Sequence, residues 1–169
     1  MNVNLIKVEY DQNKNLLYVF NNDGGRIGVT SAKNALNGYQ KGRCFYCFDW
    51  ISVVSGDENL GQVDHFFPHH LKSHGFKNLD GIWNLVLACK DCNGSSGKSG
   101  QIPHEKYLTR LNKRNNYLIS SHHPLRETLM DQTGKSEKDR VSYLKNNYQR
   151  SLKLLVHKWK PKDELEFEF

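Results

Sequence analysis

The fold is decided by residues 84–93, which read Asn-Leu-Val-Leu-Ala-Cys-Lys-Asp-Cys-Asn. A short apolar run, typical of a buried strand, leads directly into a Cys-x2-Cys pair, Cys89 and Cys92. A second pair with the same spacing, Cys44 and Cys47, lies upstream. Two such pairs fit tetrahedral coordination by four thiolates, which predicts a structural Zn²⁺ that cross-links the fold. A redox dithiol and four unrelated buried thiols are the alternatives, although no thioredoxin-like βαβ pattern surrounds either pair.

The length and composition describe one ordinary folded domain, or a core with one appendage. The chain has 169 residues and a mass of 19.6 kDa, enough to bury a core. Hydrophobic residues make up 37% of the chain and aromatic residues 11%, which argues against general disorder. The net charge is +6 and the sequence pI is about 9.1, so we expect an anionic partner such as nucleic acid.

Membrane and secretory classes are disfavoured by the sequence. The longest apolar stretches, such as residues 51–54, are too short to span a bilayer. The first five residues show neither the basic nor the apolar region of a secretory signal. We therefore expect a protein of the cytoplasm, where persistent disulfides are rare and close cysteine pairs more often bind metal.

The sequence divides into four segments. Residues 1–40 alternate apolar runs with polar turns, which predicts a three-stranded β meander and a short helix packed on the core. Residues 41–103 contain all four cysteines and lack helical periodicity. Residues 104–160 have apolar residues at helical spacing and predict three helices, the last from Ser136 to about Lys160. Residues 161–169 are an acidic, aromatic tail, and the whole pattern predicts an α+β fold.

A further set of residues accompanies the cysteine pairs in a defined order. Asp64-His65 lies in one apolar run, Asn84-Leu85 begins the next, and Cys92-Asn93 is followed by Lys98. This ordered set resembles the HNH endonuclease family, in which one strand carries Asp-His and a second strand begins with Asn-Leu. In that family a Cys-x2-Cys-Asn turn then leads to a lysine. The resemblance covers residues 41–103 and includes the upstream cysteine pair found in the zinc-containing members.

The resemblance implies both a fold and an activity. The family core is the ββα-metal finger, two antiparallel strands and a helix around a metal ion, here held together by the four-cysteine zinc site. The resemblance implies that His65 is the general base and that Asp64 and Asn93 are ligands of the catalytic metal. It also implies that Asn84 holds the loop that carries His65. The implied reaction is hydrolysis of DNA to 5′-phosphate and 3′-hydroxyl ends.

The residue types fit this chemistry on physical grounds as well. Hydrolysis of a phosphodiester needs a base that activates water and a cation that stabilises charge on the phosphate and the leaving oxygen. A neutral histidine is a suitable base, and oxygen ligands from Asp64 and Asn93 favour Mg²⁺ or Mn²⁺. Adjacent side chains of a regular strand point to opposite faces. We therefore expect the strand to end or bulge near Asp64-His65, and Pro68 favours an ending.

Two features depart from the family pattern. Asn93 stands where many members have histidine, which makes the chain an H-N-N variant and bears on the choice of metal. The interval before Lys98 is longer than usual, so this member of the catalytic set is predicted either to contact a phosphate or to face solvent. The same interval looks like a nucleotide-binding loop, but that loop needs four residues between its glycines. Here two residues separate Gly94 from Gly97, so we expect no nucleotide cofactor.

The positive charge is concentrated in the helical region. Residues 1–97 carry nine basic and nine acidic side chains, residues 98–160 carry fourteen and five, and residues 161–169 carry one and four. We therefore predict that the helices bind the DNA backbone. The predicted contacts are Lys106, Arg110, Lys113 and Arg114. The acidic tail suits docking or self-inhibition, and a solvated end is the alternative.

Two other functions are compatible with these residues. One is a nuclease effector subunit of a larger restriction or defence complex, active only with a protein partner. The other is a non-catalytic, zinc-containing module that binds nucleic acid, against which the intact set Asp64, His65 and Asn93 argues. Taken singly, these three residues also have structural interpretations, as a turn former, a buried histidine and a helix cap.

Overall fold

A computed structural model of the chain describes residues 8–11, 16–20, 26–122 and 125–169, and gives only the backbone up to residue 32. In chain order the strands and helices are β1 Val8–Asp11, β2 Leu16–Phe20, β3 Arg26–Ser31, α1 Ala32–Gln40, β4 Gln62–His65, β5 Leu85–Ala88, α2 Lys90–Asn93, β6 Ile102–Pro103, α3 Glu105–Ser120, α4 Arg126–Thr133, α5 Glu137–Leu154 and β7 Lys158–Trp159. Two short 3-10 helices, His69–His74 and Ile82–Asn84, lie between β4 and β5. No helix within the described ranges is both long and apolar enough to cross a membrane.

Small sheets and helices alternate along the chain, which confirms the predicted α+β class. β1, β2 and β3 form an antiparallel meander with a register shift between Leu17 and Tyr18. The turns predicted between these strands, at 12–15 and 21–25, lie outside the described residues. β4 pairs with β5 in antiparallel register, so that Asp64 is opposite Val86. β6 and β7 pair in parallel.

The core surrounds β5, whose four residues are all buried. Phe66, Phe67 and Trp83 are buried in the same cluster, and α3 contributes Tyr107 and Leu111. A strand that is covered on both faces needs apolar residues at every position rather than at alternate ones. This explains why the four residues of β5, Leu85–Ala88, are all apolar.

A side chain from α1 satisfies the backbone of β5. The Gln40 amide donates to the Leu87 carbonyl and accepts from the Leu87 N–H, both at 2.8 Å. Gln40 is completely buried. A buried peptide group without a partner is costly, so Gln40 takes the place of a neighbouring strand at this edge. The contact attaches α1 to the core.

Arg114 lies in the core, which corrects its predicted position on a DNA-binding surface. Its side chain is 1% exposed, and its guanidinium donates to the carbonyls of Ile82, Trp83 and Leu85. Burial lowers the pKa of Arg114 to about 10, which leaves the side chain charged at neutral pH. Several aligned carbonyl oxygens compensate for the lost water, so a charged residue can occupy an interior position of α3.

The last helix begins as predicted and ends early. The Ser136 hydroxyl accepts from the Asp139 N–H, and the Asp139 carboxylate accepts from the Ser136 N–H, which forms a capping box. α5 ends at Leu154 rather than near Lys160. The chain beyond it becomes β7, and the Trp159 carbonyl accepts from the His104 N–H at 2.8 Å. A helix that continued to Lys160 could not form this pairing with β6.

Candidate metal centre and active site

The four cysteines converge on one point and form a cluster that can bind zinc. All four Sγ atoms lie within 4.8 Å of one another, and Cys47 Sγ is 3.7 Å from Cys89 Sγ. A tetrahedral zinc with Zn–S bonds of about 2.3 Å requires S···S edges of about 3.8 Å. The cluster therefore has the dimensions of a zinc site, and the alternative of four unrelated thiols is wrong.

Peptide N–H groups point at the sulfur atoms. The Cys92 N–H donates to Cys89 Sγ at 3.4 Å, and the Cys89 N–H donates to Cys44 Sγ at 3.3 Å. Hydrogen bonds from the thiols of Cys44 and Cys47 lower the pKa of Cys89 far below its usual value. Hydrogen bonds with the other three thiols, that of Cys44 first, raise the pKa of Cys92. A divalent cation would allow all four to ionise together, and the N–H groups would then stabilise the bound thiolates.

The strand that carries the Asp-His pair ends at His65, as the alternation of side chains predicts. Because β4 stops there, the two adjacent residues are able to face the same side. Asp64, His65 and Asn93 line one open cleft of about 340 Å³, together with His69 and His70. The structure thus brings together the predicted base and the two predicted metal ligands.

Two buried groups hold the Asp64 carboxylate. The Tyr46 hydroxyl donates to Asp64 Oδ2 at 2.6 Å. Lys98 Nζ lies 3.2 Å from Oδ1 and 3.1 Å from Oδ2. Burial and the neighbouring Asp64 carboxylate raise the pKa of Tyr46 well above its usual value. The phenol therefore stays protonated and remains a donor to Asp64.

Lys98 is an internal ammonium group. It is 1% exposed, and besides Asp64 it donates to the His65 carbonyl at 2.7 Å. The alternative that Lys98 faces open solvent is therefore wrong. The residue lines the same cleft as Asp64 and His65, and its contact with a phosphate stays a prediction. Within the protein, Lys98 joins the side chain of Asp64 to the backbone of His65.

His65 has an acidic partner that the sequence did not indicate. Asp80 Oδ1 lies 2.9 Å from His65 Nε2, and Lys72 binds the other carboxylate oxygen at 2.5 Å. Burial disfavours the ionised carboxylate, but hydrogen bonds from His65 and Lys72 outweigh it and lower the pKa of Asp80 to about 2. An ionised carboxylate only accepts hydrogen bonds, so Nε2 is the donor to Asp80, and in the neutral ring Nδ1 is the nitrogen without a proton.

Asn84 is fully buried at the start of β5 and holds two loops. Its side chain accepts from the Phe67 N–H at 2.8 Å and donates to the carbonyls of Phe67 and Leu79 at 3.0 and 2.9 Å. Phe67 follows His65 in the chain, and Leu79 precedes Asp80. These bonds therefore connect the segments that carry the imidazole and its carboxylate.

Asn93 is oriented by a glutamine on β4. Its Nδ2 atom donates to Gln62 Oε1 at 2.9 Å. Gln62 and Asp64 are two residues apart on one strand, so they lie on the same face. With the amide nitrogen engaged, the carbonyl oxygen of Asn93 is the ligand atom available beside Asp64. Two oxygen donors in an open cleft fit a hard cation such as Mg²⁺, which keeps several waters.

The acidic tail is docked on α3 and covers three of the predicted DNA contacts. Lys106 and Arg110 both pair with Glu164, and Lys113 pairs with Glu168 at 2.7 Å. The solvated-end alternative for the tail is therefore wrong. The basic side chains are on the helix surface as predicted, Arg114 excepted, but their charges face carboxylates of the same chain.

Sequence reasoning missed three residues of this site: Tyr46, Gln62 and Asp80. Tyr46 lies inside the first cysteine pair, where it looks like a core aromatic residue. Asp80 follows His65 by fifteen residues in a polar loop, and acidic residues are common in such loops. The only signal for Asp80 is its position four residues before Asn84, which is informative only once Asn84 is known to hold that loop.

Comparison with known proteins does not indicate a function for this chain. No protein family, curated protein or solved structure matches the chain. The functional conclusion therefore rests on the geometry and chemistry of the residues described above.

Proposed function

We propose that this protein is a metal-dependent endonuclease of the HNH type that hydrolyses DNA phosphodiester bonds. The observation that carries the proposal is the shared cleft, in which His65, Asp64 and Asn93 meet. Asp80 on His65 Nε2 and Gln62 on Asn93 give both side chains a defined orientation. An imidazole paired with a carboxylate, beside two oxygen donors for a cation, supplies the base and the charge stabilisation that phosphodiester hydrolysis needs.

His65 performs the proton transfer in this proposal. Its Nδ1 atom takes a proton from a water molecule, and the water oxygen forms a bond to phosphorus as the P–O3′ bond breaks. The leaving 3′ oxygen takes a proton from solvent, which gives the 5′-phosphate and 3′-hydroxyl ends. The Asp80 carboxylate stabilises the imidazolium that forms and keeps the ring in the productive tautomer.

Asp64 and Asn93 would hold the catalytic Mg²⁺ or Mn²⁺. When bound, this cation stabilises negative charge on the phosphate and on the leaving oxygen. The Lys98 ammonium balances much of the Asp64 charge, so we expect the substrate phosphate to supply part of the cation affinity. The cysteine cluster would hold a separate Zn²⁺ that maintains the fold and takes no part in the reaction, because four thiolates close its coordination sphere.

The proposal predicts Mg²⁺-dependent cleavage by the zinc-loaded protein. Supercoiled plasmid, linear duplex, single-stranded DNA and RNA are incubated in metal-depleted buffer with and without millimolar Mg²⁺. Magnesium is omitted rather than chelated, so that the cysteine cluster keeps its zinc. We expect DNA cleavage only with Mg²⁺ and ends that a DNA ligase rejoins, because ligation requires a 5′-phosphate and a 3′-hydroxyl.

Absence of Mg²⁺-dependent cutting on every form of DNA would contradict the proposal. Binding of DNA without cleavage would point instead to the non-catalytic module. Cleavage of RNA alone would support the proposed hydrolysis of phosphodiester bonds but would make RNA the substrate instead of DNA.

Asp80 provides a second prediction, because it acts through His65. Replacing Asp80 with Asn is expected to lower kcat for DNA cleavage about 10- to 100-fold, the usual effect of removing an orienting partner. The Asn amide can donate to Nε2 and place the proton on the wrong ring nitrogen. KM for DNA is expected to stay constant, and Asp80→Glu is expected to restore part of the activity.

Lys72→Met is the matched control for Asp80→Asn. Lys72 binds the other oxygen of the same carboxylate but is about half exposed, and exposed ion pairs contribute little. If Asp80→Asn raises KM and leaves kcat unchanged, or if Lys72→Met has an equal effect, Asp80 does not orient His65.

A further inference from the structure

The tail occupies a defined position on the protein surface. The Leu165 N–H donates to the Cys47 carbonyl at 2.8 Å, which fixes its backbone to the first cysteine pair. Glu164 accepts from Arg110 at 2.5 Å and from the Tyr107 hydroxyl at 3.0 Å, and also pairs with Lys106. Hydrogen bonds from Lys106 and Arg110 outweigh the effect of burial and lower the pKa of Glu164. This carboxylate is therefore charged at neutral pH.

Aromatic rings add to the docking of the tail. The rings of Phe167 and Phe169 lie 5.5 and 5.0 Å from Phe48. Phe169 also lies 5.2 Å from Tyr39 of α1, and the Arg43 guanidinium is 4.6 Å above Phe167. The tail is thus held by ring contacts as well as by ion pairs to α3.

The three cations under the tail form one row, the basic face of α3: Lys106, Arg110 and Lys113. Their spacing of four and three residues places them on one side of the helix over about 10 Å. Arg110 also donates to the carbonyls of Phe45 and Tyr46. These bonds do not involve the tail, so we expect them to hold Arg110 in place when the tail leaves.

The ion pairs of the two lysines on this face are the exposed ones, whereas the Arg110–Glu164 pair is largely buried. Lys106 and Lys113 are about half exposed, and Glu168 is 85% exposed. Exposed pairs of this kind are screened by salt and compete poorly with a ligand of higher charge density. A nucleic-acid backbone presents phosphates at close spacing, and its binding is favoured further by the release of condensed counterions.

We infer that the basic face of α3 is a binding surface for the DNA backbone and that the tail covers it in competition with DNA. The carboxylates of Glu164 and Glu168 occupy the places that phosphates would take. The face is connected to the proposed active site through Tyr46, whose carbonyl binds Arg110 and whose hydroxyl binds Asp64. The inference rests on the proposed action on DNA and adds a regulated contact to it.

Direct binding tests this competition without cleavage. All variants carry His65→Ala, and the affinity of the full chain for a fluorescent duplex is measured by anisotropy at several salt concentrations. Glu164→Gln with Glu168→Gln is expected to tighten binding about tenfold or more at low salt and to steepen the salt dependence, since three cations are released. Adding Lys106→Ala and Lys113→Ala is expected to abolish the gain.

The matched control removes the same charge from the same segment. Asp163→Asn with Glu166→Gln alters two tail carboxylates that form no ion pair within the described part of the chain. We expect this control to change the affinity less than about twofold, because only general charge is altered.

Three results would overturn the inference: equal gains for both pairs of variants, no gain for Glu164→Gln with Glu168→Gln, or no DNA binding by any variant. A fourth result, capture of a synthetic peptide of residues 161–169 by a tail-truncated chain that does not bind DNA, would make the face a peptide site. Failure of the nuclease proposal can be distinguished from failure of this inference. A protein that never cleaves DNA but shows the expected gain in binding retains the inference.

Discussion

Replacing His65 with Ala is expected to reduce Mg²⁺-dependent DNA cleavage by about 10²- to 10⁴-fold, the usual contribution of a general base. The imidazole contacts Asp80 and lies in the cleft with Asp64 and Asn93, so its loss removes the proton acceptor and leaves the two oxygen donors. DNA affinity and thermal stability are expected to change little. The measurements are single-turnover cleavage rates on plasmid and anisotropy with a labelled duplex.

His74→Ala is the control for His65→Ala. His74 ends the 3-10 helix that follows the cleft and is exposed, so its removal is expected to leave the rate within about twofold of the parent, as for most surface substitutions. A His65→Ala protein that cleaves at the parental rate, with folding intact, would show that another group activates the water.

Removal of zinc is expected to unfold the region that contains the active site. Structural zinc in small domains contributes about 10 to 16 kcal/mol of binding free energy, which is as large as the whole stability of a typical domain. The cluster joins the turn at Cys44 and Cys47 to the end of β5 and to α2. Phe45 and Tyr46 in that turn are buried, and so is Cys92 in α2. Without the metal, four close thiols would have to remain protonated or separate.

The measurements for this prediction are metal content and thermal unfolding. We expect about one zinc per chain, loss of the cooperative transition after chelation, and recovery on addition of Zn²⁺ but not Mg²⁺. Cys44→Ser is expected to reproduce the chelated state. Asp91→Asn, which alters a residue between Cys89 and Cys92, is expected to keep zinc and stability. A zinc-free chain that melts at the same temperature as the zinc-loaded chain would refute a structural metal.

The cysteine cluster shows how far spacing alone predicts a site. Two Cys-x2-Cys pairs predict one metal because each pair forms a local turn that directs two sulfurs to the same side. The position of His65 at the end of β4 was also predictable, since the period of a strand is two residues and proline follows soon after. These conclusions depend on residues that are close in the chain.

Burial and long-range contact were not predictable in the same way. Lysine and arginine are usually surface residues, yet Lys98 and Arg114 are both 1% exposed. Their environments depend on carboxylate and carbonyl oxygens from β4, β5 and the segment before β5. A charge is stable in the interior only where such acceptors surround it, and their arrangement is a property of the packed chain.

The sequence by itself determined the α+β class, the four thiols that can bind a metal and the set of side chains on which the proposed chemistry depends. These follow from local periodicity and spacing, which act over a few residues. Only the tertiary structure decided that Asp80 backs His65, that Gln62 orients Asn93, and that the acidic tail covers the basic face of α3. Each of these contacts joins residues fifteen or more positions apart, and their partners are selected by how the strands and helices pack rather than by any local pattern.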